Sequence, residues 1–356
     1  MGMSLGAVLR GTLVSATLGV VMLAGCNNGN SSTPGGGGAT PTPTPPATNS
    51  QIYVTEASGA VSSSLNSPDT ILVFTIGSLL NPSGTSLSPI QAITSSSFSS
   101  AYGVAVDSLA NIYITNLGPP PSIQEFSSNA NGTSTPIRTI TSSALSAPTG
   151  VALDSVGNIY VADPTGGPLA NGQIEVFAAG ASGASTPTRT ISGSNTGLNT
   201  PSGITVSNNG AIYVTNDGTT STTSTVEVFS AGANGNVGPT RTISGAGSGL
   251  YGPLGVAIGP SGAVYVSNSN GASITVYGTS GSVPVRTIAG TSTNLFVPNG
   301  LALDVAGNLY EADGGPPSSS QPTGELLVFP PNATGNVTPT LTASGVGESA
   351  WGIARY

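Results

Sequence analysis

The chain has 356 residues, with six arginines, no lysine, no histidine and fourteen acids, for a net charge of −8. That length suffices for a large core, and an acidic surface without lysine argues against nucleic acid and against docking on anionic lipid through basic clusters. Charged residues make up only 6% of the chain, so Ser, Thr, Asn and Gly must keep the surface wet, a composition common in exported proteins.

The first element is an export signal. Met1 to Arg10 carry one positive charge, and Gly11 to Leu23 are apolar or small, too short to span a bilayer as a mature helix. Leu23-Ala24-Gly25-Cys26 follows and resembles a bacterial lipobox, and Cys26 is the single cysteine of the chain. The resemblance implies that residues 1–25 are a lipoprotein signal peptide and that Cys26 is lipidated after cleavage. It places the protein, lipid-anchored and extracytoplasmic, in a bacterial cell envelope. Asn27 rather than Asp after the cysteine points to the outer membrane where the host has one. Residues 26–50 read as a disordered tether. Four glycines precede Thr40-Pro41-Thr42-Pro43-Thr44-Pro45-Pro46, a run that favours extended polyproline II and cannot bury a core.

From residue 51 the chain repeats. The phrase Gly-[Val/Ile/Leu]-[Ala/Thr]-[Val/Ile/Leu], with Tyr ten residues after its Gly, starts at Gly103, Gly150, Gly203, Gly255 and Gly300. Each copy reads as four strands. In the clearest, Gly150-Val151-Ala152-Leu153-Asp154 is strand a, Ile159-Tyr160-Val161-Ala162-Asp163 strand b, Ile174-Glu175-Val176-Phe177 strand c and Pro187-Thr188-Arg189-Thr190-Ile191 strand d. Successive tyrosines lie 45–60 residues apart, near one propeller blade. Strands a and b are apolar on both faces, as packing between neighbouring sheets requires. Pro89, Pro136, Pro187, Pro239, Pro284 and Pro339 open strand d, which suits an outermost edge. Tyr53 has no Gly phrase before it, and Trp351-Gly352-Ile353-Ala354-Arg355-Tyr356 has no tyrosine strand after it. The two halves predict an all-β, six-bladed propeller over 51–356, with four-stranded blades and the C-terminal strand completing the first blade.

These repeats resemble NHL-repeat propellers, a family that includes lyases, extracellular sensor domains and protein- or RNA-binding modules. In one blade, Pro298-Asn299-Gly300 resembles the gluconolactonase family, whose Asn is a metal ligand. That family also needs a Glu and an Asp at corresponding positions, where this chain has other residues.

Two sets of positions are candidates for a site. Asn116, Asp163, Asn216, Asp217, Asn268 and Asp313 close successive b strands, with Glu56 in the first blade. They form either an oxygen-rich ring for a hard cation or sugar hydroxyls, or turns in which Asn and Asp bond backbone. The residues before each strand-a Gly are Tyr102, Thr149, Ser202, Leu254, Asn299 and Trp351, expected around the channel mouth. Unlike the repeated positions they differ in every blade, which suits recognition of one ligand, with Trp351 either stacking on it or plugging the closure. The strand-d arginines Arg138, Arg189, Arg241 and Arg286 form either an anion stripe or cross-strand pairs, Glu175 with Arg189 and Glu227 with Arg241. Asp107, Asp154 and Asp304 are expected to cap their a–b turns.

The missing residue types narrow the chemistry. Without histidine there is no Ser-His-Asp triad and no His-rich zinc site, and without lysine no Schiff base. The expectation is a monomeric, non-catalytic binding or scaffold module, anchored to a membrane, with a protein or glycan ligand and no cofactor. The alternative is a Ca²⁺-dependent hydrolase, lactonase or lyase with Glu56, Asp163, Asn299 and Asp313 as candidate metal ligands.

Overall fold

The computed structural model describes residues 21–23, 51–56, 69–77, 88–168, 171–218, 220, 222–316, 324–344 and 350–355. Cys26 and the tether lie outside them, as does the side chain of Trp351. The described chain is all-β with almost no helix, six four-stranded blades forming a six-bladed β-propeller.

Each blade is an antiparallel meander from the axis outward. Blade 2 is Ala101–Val106, Ile112–Asn116, Ser122–Phe126 and Arg138–Thr141 (strands a to d). Blade 3 is Val151–Leu153, Ile159–Asp163, Gln173–Phe177 and Arg189–Ile191. Blade 4 is Pro201–Val206, Ile212–Asn216, Thr225–Phe229 and Arg241–Ile243. Blade 5 is Pro253–Ile258, Val264–Asn268, Ser273–Tyr277 and Arg286–Ala289. Blade 6 is Pro298–Leu303, Leu309–Asp313, Glu325–Phe329 and Leu341–Ser344. Blade 1 is assembled from both ends. Gln51–Glu56, Thr70–Thr75 and Gln91–Thr94 form strands b to d, and Ala350–Arg355 is strand a, with Tyr53 opposite Ala354 and Val54 opposite Ile353.

A further strand, Val21–Leu23, runs parallel to Ala350–Arg355 and lies against the innermost strands of all six blades, along the axis. It belongs to the stretch expected to leave with the signal peptide and is not part of any blade.

The b strands are almost wholly buried, because each is covered by the blades on both sides. Every c strand from blade 2 to blade 6 ends in a fully buried aromatic: Phe126, Phe177, Phe229, Tyr277 and Phe329. Each such ring contributes about 1.5–3 kcal/mol by leaving water. Tyr277 meets the added demand of its hydroxyl by donating to Ser248 O at 2.7 Å.

The prolines do not open strand d as expected. The ladder begins two residues later, at Gln91, Arg138, Arg189, Arg241, Arg286 and Leu341. The residue after each proline makes the first contact with strand c, as Thr188 N–H does to Val176 O at 2.7 Å. Proline itself has no N–H to give. Nor is strand d a bare edge. The c–d loop of the next blade climbs beside it, Gly132 beside Ile93, Gly183 beside Ile140, Gly235 beside Ile191 and Gly335 beside Ile288. All four glycines have φ between 62° and 73°, a left-handed turn that side chains rarely adopt.

The expected Glu175–Arg189 and Glu227–Arg241 pairs are absent. Glu175 is opposite Thr190 and Glu227 opposite Thr242, while Arg189 faces Val176 and Arg241 faces Val228. The slip is one residue, which puts acid and base on opposite faces of the sheet. Arg189 instead stacks 5.5 Å above the Tyr160 ring, donates to Tyr160 OH at 2.9 Å and reaches Ala233 O of blade 4 at 3.0 Å. Arg138 and Arg286 repeat this staple with Tyr113 and Ala179 O, and with Tyr265 and Ala333 O. Arg138 alone adds an ion pair, to Glu125. The arginines therefore bind blade to blade.

Candidate functional site

The repeated glycine is a packing requirement. A Cβ on Gly103 would meet Thr149 O at 2.4 Å, on Gly203 Leu254 O at 2.1 Å, and on Gly255 Asn299 O at 2.3 Å. In each case the obstacle is the backbone of the next blade. A hydroxyl near the end of strand b locks this approach. Thr115 accepts from Gly103 N–H at 2.8 Å and donates to Thr149 O of blade 3. Thr55, Thr215 and Ser267 do the same toward Tyr102 O, Leu254 O and Asn299 O. Blade 3 has Ala162 at this position and uses Thr149 Oγ1 to Ala162 O at 3.0 Å instead.

Tyr102, Thr149, Leu254 and Asn299 are thus held by their own carbonyls. Tyr102, Ser202, Leu254, Asn299 and Trp351 also sit where the a–b register shifts, between Ala101 and Val104, Pro201 and Ile204, Pro253 and Val256, Pro298 and Gly300, and opposite the Val54–Glu56 step. A bulge re-aims the side chain it contains. The side chains at these positions differ, but Thr149, Ser202, Leu254 and Asn299 are buried, so they do not face a ligand as the sequence led one to expect.

The residues closing strand b are spent on backbone. Asn116 accepts from Ser99 N–H, Asn216 from Asn199 N–H at 3.0 Å and Asn268 from Tyr251 N–H at 3.1 Å. Asp163 accepts from Ser146, Ala147, Thr165 and Gly166 amides, and Asp313 from Phe296, Val297 and Gly315. Their partners are largely in the d–a loop of the same blade, seventeen residues upstream in the commonest case. Each side chain ties the loop before strand a to the end of strand b. At the opposite face Asp107, Asp154 and Asp304 cap their a–b turns, accepting from Asn111, Asn158 and Asn308.

Two buried acids on this side were not singled out as site candidates in the sequence. Glu311 stands where the other b strands have Val54, Ile114, Val161, Val214 and Val266. Burial first, then the nearby Asp313 charge, raises its pKa well above the ordinary carboxylate value, although Asn299 N–H donates to its Oε1 at 3.1 Å. Glu175 is likewise buried and raised, by desolvation and then by Asp163. Burial pushes Asp313 up to about 6, against the pull of its three amides, and Glu56 up to about 8. The signal for Glu311 was available, a lone carboxylate in an otherwise β-branched column. Among the described residues no cation lies on this side. Arg138, Arg189, Arg241 and Arg286 open their d strands near the turn face, and Arg355 ends strand a opposite Ile52.

No protein-family model and no curated protein matches the sequence. Solved structures share the fold. A protein of unknown function from Bacteroides caccae superposes with a TM-score of 0.61 at 13% identity, covering 86% of this chain and 98% of that one. A protein from Lactobacillus plantarum gives 0.52 at 16% identity, covering 83% and 82%. At such identities the likeness extends to the propeller alone.

Proposed function

We propose that the chain is an exported lipoprotein, anchored through Cys26, whose propeller is a non-catalytic binding or scaffold module with a protein or glycan ligand. The observation that carries this reading is the mouth. Thr55, Thr115, Thr215 and Ser267 set its backbone in the same way, while the exposed residues of the d–a loops beside it, Ser99, Ser146, Asn199, Tyr251 and Phe296, differ from blade to blade. Structural positions repeat in such arrays, and divergence marks the face that reads something specific.

The alternative, a Ca²⁺-dependent hydrolase, lactonase or lyase, draws on Asn299 beside Glu311 and Asp313 in blade 6. The donor set suits Ca²⁺ poorly. That ion takes six to eight oxygens, whereas Asp313 accepts three amides and Glu311 is sealed at 0% exposure. Among the described residues no three His, Cys, Asp or Glu side chains converge as a metal-ligand group.

The test is made on the full chain expressed in a bacterial host. Mass spectrometry of the membrane fraction is expected to find Cys26 acylated, and Cys26→Ser to leave the precursor uncleaved. An unmodified Cys26 thiol in mature protein would overturn the anchor. Millimolar Ca²⁺ is expected not to raise the melting temperature, and no lactone to be hydrolysed. A Ca²⁺-dependent shift lost in Asp163→Asn, with lactone turnover, would install the enzyme reading instead.

A further inference from the structure

Resting on the binding-module reading, we infer that the mouth face takes a neutral glycan, stacked on an aromatic sector built by Tyr251 and Phe296. These two residues occupy the same place in the repeat. Tyr251 N–H donates to Asn268 Oδ1 at the end of strand b in blade 5, and Phe296 N–H donates to Asp313 Oδ2 at 2.9 Å in blade 6. The matching positions in blades 2, 3 and 4 are Ser99, Ser146 and Asn199, bound through the same backbone contact. The repeat therefore asks only for a backbone N–H there, and the aromatic rings are not part of its packing. Both are 42% exposed.

The rings are offered on rigid supports. Besides the pinned amides, Gly252 N–H donates to Ser224 Oγ at 3.3 Å, and the short turn Ser269–Gly271 packs beside Tyr251. Such preorganisation lowers the ordering cost of binding. Blades 5 and 6 are neighbours in the ring. Blades 2, 3 and 4 offer the exposed Ser99, Ser146 and Asn199 at this place in the repeat. The d–a loops of this face thus carry aromatic residues in blades 5 and 6 and small or polar ones in blades 2, 3 and 4.

Charge decides between ligand classes. A sugar ring presents an apolar face to an aromatic and a rim of hydroxyl donors to acceptors. The surroundings are carbonyls, amides and carboxylates, with no described cation on this side of the ring. Uronates, sulfated or phosphorylated glycans would find no described counter-charge on this side. Protein interfaces favour Arg and contiguous aromatic patches. Here no described Arg lies on this side of the ring.

The experiment measures binding of the full chain in detergent to neutral hexose and pentose oligosaccharides, with oligogalacturonate, heparin and a random peptide library as competing probes. Neutral oligosaccharides are expected to bind with little salt dependence. Tyr251→Ser and Phe296→Ser, which copy the residue type of blades 2 and 3, are expected to weaken binding about tenfold each. Their melting temperatures should stay at the parent value, and Leu109→Ala on the opposite face should change nothing. Binding confined to the anionic polymers, no binding to any neutral oligosaccharide, or neutral-glycan binding untouched in the double serine variant overturns the inference. Retention of a peptide that needs Tyr251 and Phe296 also overturns it, while leaving the binding-module reading in place. Turnover of a probe would remove that reading itself.

Discussion

The two faces of this ring are made by the same twenty-four strands, yet they keep different things constant. On the face of the a–b turns and c–d loops, side chains repeat: Asp with Asn in the turns of blades 2, 3 and 6, and Tyr with Arg at the staples of blades 2, 3 and 5. On the mouth face Asn or Asp pins a backbone amide of the d–a loop in blades 2 to 6, and the exposed side chains on those amides, Ser99, Ser146, Asn199, Tyr251 and Phe296, change from blade to blade. A face whose side chains carry the inter-blade bonds cannot vary without loosening the ring. A residue held only through its own amide or carbonyl can change its side chain without breaking that bond.

The largest effect should come from removing residues 350–356. This deletes the innermost strand of blade 1, which pairs along Gln51–Glu56 and packs against blades 2 and 6. A fall of more than about 10 °C in the melting temperature, or loss of a cooperative transition, is expected. An unchanged midpoint would mean that neither face depends on closure.

Glycine substitutions separate the faces directly. Gly203→Ala at the mouth drives a methyl group into Leu254 O, and should cost about 2–3 kcal/mol. Gly180→Ala, in the c–d loop of blade 3, meets nothing within 4 Å and should be neutral or stabilising by up to about 1 kcal/mol. Urea melts of the two variants would check this, and equal losses would refute the proposed division of labour.

The smallest effect is a pH dependence confined to the mouth side. Glu311 has a raised pKa in the folded chain, so folding holds its proton more tightly than the unfolded chain does. Its contribution is fully present below the ordinary value of 4.5 and is lost as pH rises toward the elevated folded value. Glu56 adds the same trend between 4.5 and about 8. Melting temperature should therefore fall from pH 5 to pH 8, and Glu311→Gln, which keeps an oxygen for Asn299 N–H, should flatten the slope. An unchanged slope in that variant would show that Glu311 stays ionised in the fold.

The sequence by itself determined the architecture, because a propeller blade is local. The Gly phrase, the b-strand tyrosine and the c–d half of each unit recur along the chain, and the two incomplete ends could only complete each other, as Ala350–Arg355 beside Gln51–Glu56 does. It also determined the turn caps at Asp107, Asp154 and Asp304, whose partners lie four residues away. Contacts between strands and between blades were decided by the tertiary structure. Spacing along the chain could not distinguish Glu175 opposite Arg189 from Glu175 opposite Thr190, since a one-residue slip in register exchanges the faces. Nor could it show that Asn116, Asp163, Asn216, Asn268 and Asp313 hold the d–a loops, or that Tyr251 and Phe296 share one position and stand in solvent. Those facts depend on which backbone amides the ring brings to the end of each b strand, and only the closed ring sets that.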